Sequence, residues 1–241
     1  MTMLLLHPVG LDRGCWQFCD LAGEMPDYPG HGGRPTPADG KLDLGRVADE
    51  IADSYSEPLD VVGVSIGGAV AQYLAIRHPD RVRSLLVACT GPAGAPRLDR
   101  AEETIRLGMA GTLDTTMRRW FTPATLTQPD HPGVAYARQR LLTGDPAGVA
   151  AIWAADRSLL TPEALATIEV PVTVLGGRQD QSATLPRITD LFQSMPGSRL
   201  EIIPGPHLLP LERPREFSAA VRRHLDWADG EIRAAHRARQ A

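Results

Sequence analysis

At 241 residues, with 43% hydrophobic and 22% charged side chains, the chain is long enough for one large domain with a sizeable core and has the composition of an ordinary globular protein. A formal net charge of -4 with no dominant basic run argues against a nucleic-acid or anionic-membrane partner. No apolar run approaches the ~20 residues that span a bilayer, and Met1 to Leu6 is too short for a signal peptide, so a cytoplasmic location is expected.

Met3 to Leu6 reads as a central strand, ending in the turn His7-Pro8-Val9-Gly10-Leu11-Asp12. Gly14 to Leu21 fits a short helix carrying Trp16 and Phe18, and Leu21 to Asp27 a weak strand interrupted by Gly23 and Pro26. A glycine-dense turn, Asp27 to Arg34, follows. Leu44, Val47, Ile51 and Tyr55 recur at helical spacing and predict a helix packed beside the next element.

That element is Leu59 to Gly68, where the β-branched run Val61, Val62, Val64 ends at a serine between glycines and turns helical through Ala69, Val70, Tyr73 and Leu74. Gly63-Val64-Ser65-Ile66-Gly67 in that context is a nucleophile elbow: a strained strand-to-helix turn that lifts the serine hydroxyl above the sheet edge. A β-carbon at Gly63 or Gly67 would collide as strand and helix cross. Arg81 to Cys89 is another buried strand, so strand, helix, strand announces a parallel sheet.

From Gly91 the rhythm changes. A linker through Pro96 leads into amphipathic segments punctuated by Pro123, Pro129, Pro132 and Pro146, with no strand pattern. This predicts a helical cap, residues 92–164, inserted into a core of residues 1–91 and 165–241. Strands resume at Val170 to Gly176 and Arg199 to Ile203, and Pro214 to Trp227 closes the chain as a helix with a charged tail.

A serine hydroxyl needs a base to take its proton, and that base needs an orienting partner. Of the histidines after Asp180, His207 stands in a loop just past a strand, where chemistry collects in open α/β sheets, whereas His224 and His236 fall in helical pattern and suit a solvated face. Asp180 occupies the equivalent loop after the preceding strand; the rivals Asp99 and Asp156 lie beyond the linker and in the cap. The oxyanion of an acyl-transfer intermediate needs N–H donors, which Ile66 at a helix start and Val9 beside the donorless Pro8 can supply. Cys15, Cys19 and Cys89 are expected as free thiols, since an intracellular setting disfavours disulfides. Cys15 and Cys19 at i, i+4 would make half a metal site that nothing at familiar spacing completes.

His7-Pro8-Val9-Gly10, Asp27-Tyr28-Pro29-Gly30-His31-Gly32, Gly63 to Gly68, Asp180, and His207 with Leu211-Glu212-Arg213-Pro214 together resemble the α/β-hydrolase superfamily over nearly the whole chain. Arg119-Trp120-Phe121-Thr122 and the opening turn look most like the 3-oxoadipate enol-lactonase group, which opens small lactones. The resemblance implies a doubly wound, mostly parallel sheet under an inserted cap. This sequence lacks the antiparallel strand pair that usually precedes the oxyanion strand, so its sheet should be smaller and all parallel.

The reading that follows is a serine hydrolase cleaving a small ester or lactone, with no cofactor or metal. An acyltransferase or lyase on the same scaffold, and a silent small-molecule receptor, are the alternatives. A cap rich in aromatics, with Trp120, Phe121 and Trp153 as candidate substrate contacts, is expected to enclose an apolar pocket over Ser65.

Overall fold

The computed structural model describes residues 2–92 and 96–240, so residues 93–95 of the expected linker lie outside the described residues. Five strands, β1 (Thr2–Leu6), β2 (Leu59–Val64), β3 (Val82–Ala88), β4 (Val172–Gly177) and β5 (Arg199–Ile203), lie side by side in chain order. All four pairings are parallel. Every residue of β2 and of β4 is buried, as strands covered on both faces must be.

The ten α-helices of the described residues are α1 (Leu44–Ser54), α2 (Ile66–Arg77), α3 (Leu98–Trp120), α4 (Pro123–Leu126), α5 (Pro132–Thr143), α6 (Pro146–Ala154), α7 (Pro162–Leu165), α8 (Leu185–Gln193), α9 (Leu209–Glu212) and α10 (Pro214–Gln240), and the short helix expected after Gly14 is a 3-10 helix, Arg13–Phe18. The prolines that interrupt the sequence pattern after residue 120 are mostly helix starters. Pro123, Pro132, Pro146 and Pro162 each open a helix behind an N-cap side chain that accepts a backbone N–H, where a missing donor and a fixed φ cost nothing. The long α3 is interrupted at Gly108, whose φ of 65° leaves the helical region. None of these helices is long and apolar enough to cross a membrane.

Strand alternation sorts the layers. Ser84 and Thr173 face α10, where His224 is hydrogen-bonded to both hydroxyls, at 3.1 Å and 2.8 Å. Gly63 and Gly176 point the other way, toward α2 and α8. His224 is therefore fully buried, not on a solvated face. The spacing Phe217, Val221, His224, Ala228 puts it on the stripe that α10 lays on the sheet.

β1 departs from its expected central place: it is the edge strand of the five-stranded ladder. Its core residues Leu4, Leu5 and Leu6 are nonetheless fully buried. The segment outside it keeps a single bridge, Leu4 to Glu24, with Leu5 N donating to Glu24 O and Glu24 N to Met3 O, both at 2.8 Å. Gly23 crosses so close that a β-carbon there would stand 2.4 Å from Met3 O. The chain thus runs outward from β1 to Glu24 and back past it to β2. That reversal puts the switch in chain direction beside β1 and β2, and open α/β sheets bind ligands at the C-terminal strand ends near such a switch.

Candidate active site

Ser65 stands between β2 and α2 with φ 57° and ψ -119°, a left-handed backbone that a non-glycine residue adopts only under constraint from its surroundings. The constraint is packing. A β-carbon on Gly67 would lie 2.1 Å from Leu6 O, and one on Gly63 would lie 2.3 Å from Gly67 O, so strand, turn and helix are jammed together at a spacing only glycine permits. The strained turn holds the Ser65 hydroxyl toward the loop after β5.

There His207 Nε2 lies 3.0 Å from Ser65 Oγ. On its other side His207 Nδ1 lies 2.9 Å and 3.1 Å from the two oxygens of Asp180. The Asp180 carboxylate is fixed in turn by the N–H groups of Ser182 and Ala183, which donate to Oδ1 at 2.7 Å and 2.8 Å. Asp180 and His207 are both buried. Residues 65, 180 and 207, far apart in the chain, are thus brought into one hydrogen-bonded line. The rivals stand elsewhere: Asp99 is paired with Arg97 at 2.8 Å, and Asp156 accepts from Ser158 on the surface.

Ile66 is the first residue of α2, and its N–H has no preceding turn to bond. Among the described residues neither it nor the Val9 N–H is taken by a protein acceptor. The Val9 turn is braced by two histidines that sequence reasoning left without a role. Gly10 N donates to His31 Nε2 at 3.0 Å, while His31 Nδ1 lies 3.2 Å from Pro29 O. His7 Nδ1 lies 2.8 Å from Pro8 O, and its Nε2 accepts from Tyr28 N at 3.4 Å. Burial holds the pKa of both below the ordinary histidine range, His7 at about 3, so the rings are neutral and can accept these N–H bonds. The sequence signal was the pair of histidines in Pro/Gly turns, which only their contact makes legible.

Above Ser65 and His207 lies a cavity of about 490 Å³, walled on the far side by Arg97, Arg100, Trp120 and Trp153 from the helical insert. Of the candidate substrate contacts, Trp120 and Trp153 line it and Phe121 does not. Phe121 is buried in the core because its neighbours are strapped to the loop of His207. Leu208 N donates to Trp120 O at 3.2 Å, and the buried Glu212 accepts from Thr122 N and Thr122 Oγ1 at 2.9 Å and 2.7 Å. The expected apolar pocket is also corrected: Arg157 and Arg187 join Arg97 and Arg100 in the wall. The aromatics that suggested an apolar pocket stand among arginines, with Arg97 just before α3 and Arg100 in its first turn.

The cysteines are all free. Cys89 adds a third potential ligand atom to Asp180 and His207, all within 4.8 Å of one another, but both carboxylate oxygens already serve the His207 ring and two backbone N–H groups. Cys15 and Cys19 join no cluster of three potential ligands among the described residues.

Residues 3–220 match the family model described as "Alpha/beta hydrolase family". The pimeloyl-[acyl-carrier protein] methyl ester esterase of Neisseria meningitidis serogroup B is 31% identical over 255 residues, covering 95% of this chain and 93% of the relative. The 3-oxoadipate enol-lactonase 2 of Acinetobacter baylyi is 30% identical over 203 residues, covering 81% and 75%. Among solved structures, a hydrolase from Pseudomonas aeruginosa PA01 superposes with a TM-score of 0.85 at 27% identity, covering 93% of this chain and 89% of that one. The enol-lactonase from Burkholderia xenovorans LB400 superposes at 0.81 and 26%, covering 93% and 90%. A parallel sheet with a serine at its elbow, and relatives aligned along almost its whole length, lead to one conclusion: the chain belongs to the alpha/beta hydrolase family and is a hydrolase.

Proposed function

We propose that this protein cleaves a small ester or lactone through an acyl-enzyme on Ser65. The observation that carries the reading is the line of hydrogen bonds from Ser65 Oγ through His207 to Asp180. As Ser65 Oγ attacks the substrate carbonyl, His207 Nε2 takes its proton, and Asp180 holds the ring with Nδ1–H turned toward the carboxylate and stabilises the imidazolium. The N–H groups of Val9 and Ile66 donate hydrogen bonds to the developing oxyanion, rigidly placed before the reaction starts. His207 then returns the proton to the leaving alkoxide. A water, deprotonated by the same nitrogen, attacks the acyl carbonyl, and His207 passes that proton to Ser65 Oγ as the acyl C–O bond breaks; for a lactone the alcohol-side oxygen stays tethered to the acyl group and a hydroxy or keto acid departs.

In this reading residues 1–91 and 165–241 form the catalytic core, and residues 92–164 a lid whose Trp120 and Trp153 help enclose the substrate. The relatives, one named for a methyl ester and one for an enol-lactone, support both substrate chemistries. Fluorophosphonate labelling tests the nucleophile. The wild type should be labelled stoichiometrically at Ser65 and turn over a short-chain chromogenic ester, and Ser65→Ala should do neither. Turnover that survives Ser65→Ala would remove the reading.

A further inference from the structure

The turn that carries Val9 is pinned from within the sheet layer. Pro8 O accepts hydrogen bonds from His7 Nδ1 at 2.8 Å and from Leu11 N at 3.4 Å. Because the peptide unit is planar and trans, the direction of Pro8 O sets that of the Val9 N–H on the same unit. Gly10 follows with φ 71°, the left-handed value that the second central residue of a type II turn requires, and its N–H is held by His31.

The turn ends at Asp12, and the groups that grip Asp12 belong to the helical insert. The Tyr136 hydroxyl donates to Asp12 Oδ1 at 2.6 Å, and Arg140 Nη2 lies 2.6 Å from Asp12 Oδ2, so α5 holds both carboxylate oxygens. Burial, before any neighbour, pushes the Tyr136 pKa far above the usual phenol range, and the hydroxyl keeps the proton that it donates. Leu141, next along α5, crowds the turn itself: a β-carbon on Gly10 would stand 2.9 Å from Leu141 Cδ2. The other end of the helix is jammed against the loop of the base. A β-carbon on Gly133 would lie 2.4 Å from Leu211 O, four residues beyond His207. Gly133, Tyr136, Ala137, Arg140 and Leu141 follow the i, i+3, i+4 spacing of one helix face, and Ala137 at its middle is fully buried. One helix thus spans from the segment that carries His207 to the turn that carries Val9.

We infer that α5 is a strut that sets the oxyanion donor against the base, with Tyr136 and Arg140, acting through Asp12, as positioning residues for the Val9 N–H. The inference rests on the reading of Ser65 as the nucleophile and of Val9 as an oxyanion donor, and it adds what holds that donor in place. A donor stabilises the oxyanion only where it meets the oxygen, and losing one altogether costs on the order of a hundredfold to a thousandfold in rate. Loosening its turn forfeits part of that. α5 then works for the chemical step, while the helices around it wall the cavity.

Small changes on α5 test it. Tyr136→Phe removes only the donor oxygen, and Arg140→Gln removes the ion pair. With 4-nitrophenyl acetate as substrate, each should lower kcat by roughly tenfold and leave KM within about twofold, with Arg140→Lys keeping part of the rate. In the double variant the two losses should combine to less than their product, because both groups act on one carboxylate. A trifluoromethyl ketone, which forms a tetrahedral oxyanion adduct on a reactive serine, should lose affinity by about the same factor as kcat. Hydrogen exchange of the Gly10 amide reports on the turn without any chemistry, and in Tyr136→Phe it should quicken by roughly fivefold to tenfold. A tyrosine that merely holds the insert in place would lower the melting temperature and leave kcat and the affinity for the ketone alone. Unchanged kcat in both single variants, a loss confined to KM, or a Gly10 amide that exchanges at the wild-type rate overturns the inference. Failure of the serine mechanism shows elsewhere: Ser65→Ala would then keep its turnover, whatever the α5 variants do.

Discussion

The sheet layer and the helical insert above it treat close contact differently. Around Ser65 the layer is jammed: β1, β2 and α2 meet backbone to backbone at Gly63 and Gly67, and Ser65, His207 and Asp180 are fixed by bonds that leave each side chain one place to go. The insert is looser. Its longest helix breaks at Gly108, exposes Leu98 and Ile105, and brings Arg100 to the cavity wall. It is docked at discrete points, among them Glu212 on Thr122, Tyr136 on Asp12, and Gly148 on Gly30, where a β-carbon on Gly148 would lie 2.5 Å from Gly30 O. The difference is one of placement: the rigid layer fixes the Ser65, His207 and Asp180 side chains, and the docked layer walls the cavity above them, which under the proposed function divides chemistry from selection.

If the layers divide the work in this way, the largest losses of rate come from below. Ser65→Ala should cut kcat by on the order of a million-fold at unchanged melting temperature, measured on any ester the wild type turns over. Asp180→Asn should follow at about ten-thousand-fold, or ~5 kcal/mol, because His207 is then held in the wrong tautomer. Harm from Asp156→Asn with Asp180→Asn harmless would put the acid in the insert and break the comparison.

Acid should strike the sheet layer. His7, His31 and His224 are buried neutral, with pKa values lowered chiefly by burial, to about 3 for His7 and His224. Between pH 6.5 and about 3 the unfolded chain binds protons on His7 and His224 that the folded chain does not, and the lowered His31 adds in the same direction. Stability is therefore intact above pH 6.5 and falls with pH through that window, by up to about 1.4 kcal/mol per pH unit for each ring. Denaturant melts from pH 7 to 4 should show the fall, and His224→Gln should make it shallower.

Packing sets the next two effects. Gly67→Ala should cost about 3 kcal/mol and carry activity away with it, since Leu6 O cannot retreat without moving β1. Trp120 and Trp153 then separate structure from selectivity inside the insert. Trp120, buried and tied through its carbonyl to Leu208, should lose about 3 kcal/mol of stability on conversion to Ala. Trp153, half-exposed beneath Arg100, should instead raise KM by roughly threefold to tenfold with little change in melting temperature. The reverse pattern would mean that the insert holds its substrate through Trp120.

The sequence by itself determined the elbow, the parallel sheet and the positions of Asp180 and His207, because these depend on short-range facts: β-branched runs that can only be buried strands, glycines where a β-carbon has no room, and polar residues just past strand ends. What only the tertiary structure decided are matters of which distant groups meet. His7 and His31 brace the Val9 turn through bonds 21 residues apart in the chain, His224 is buried because α10 lies along Ser84 and Thr173, and Phe121 turns away from the cavity because Glu212 anchors the residue after it. The arginines were in plain view as letters. Their convergence depends on helix phase and on the docking of the insert, and a local periodicity carries neither, so the composition read as apolar while the folded wall is cationic.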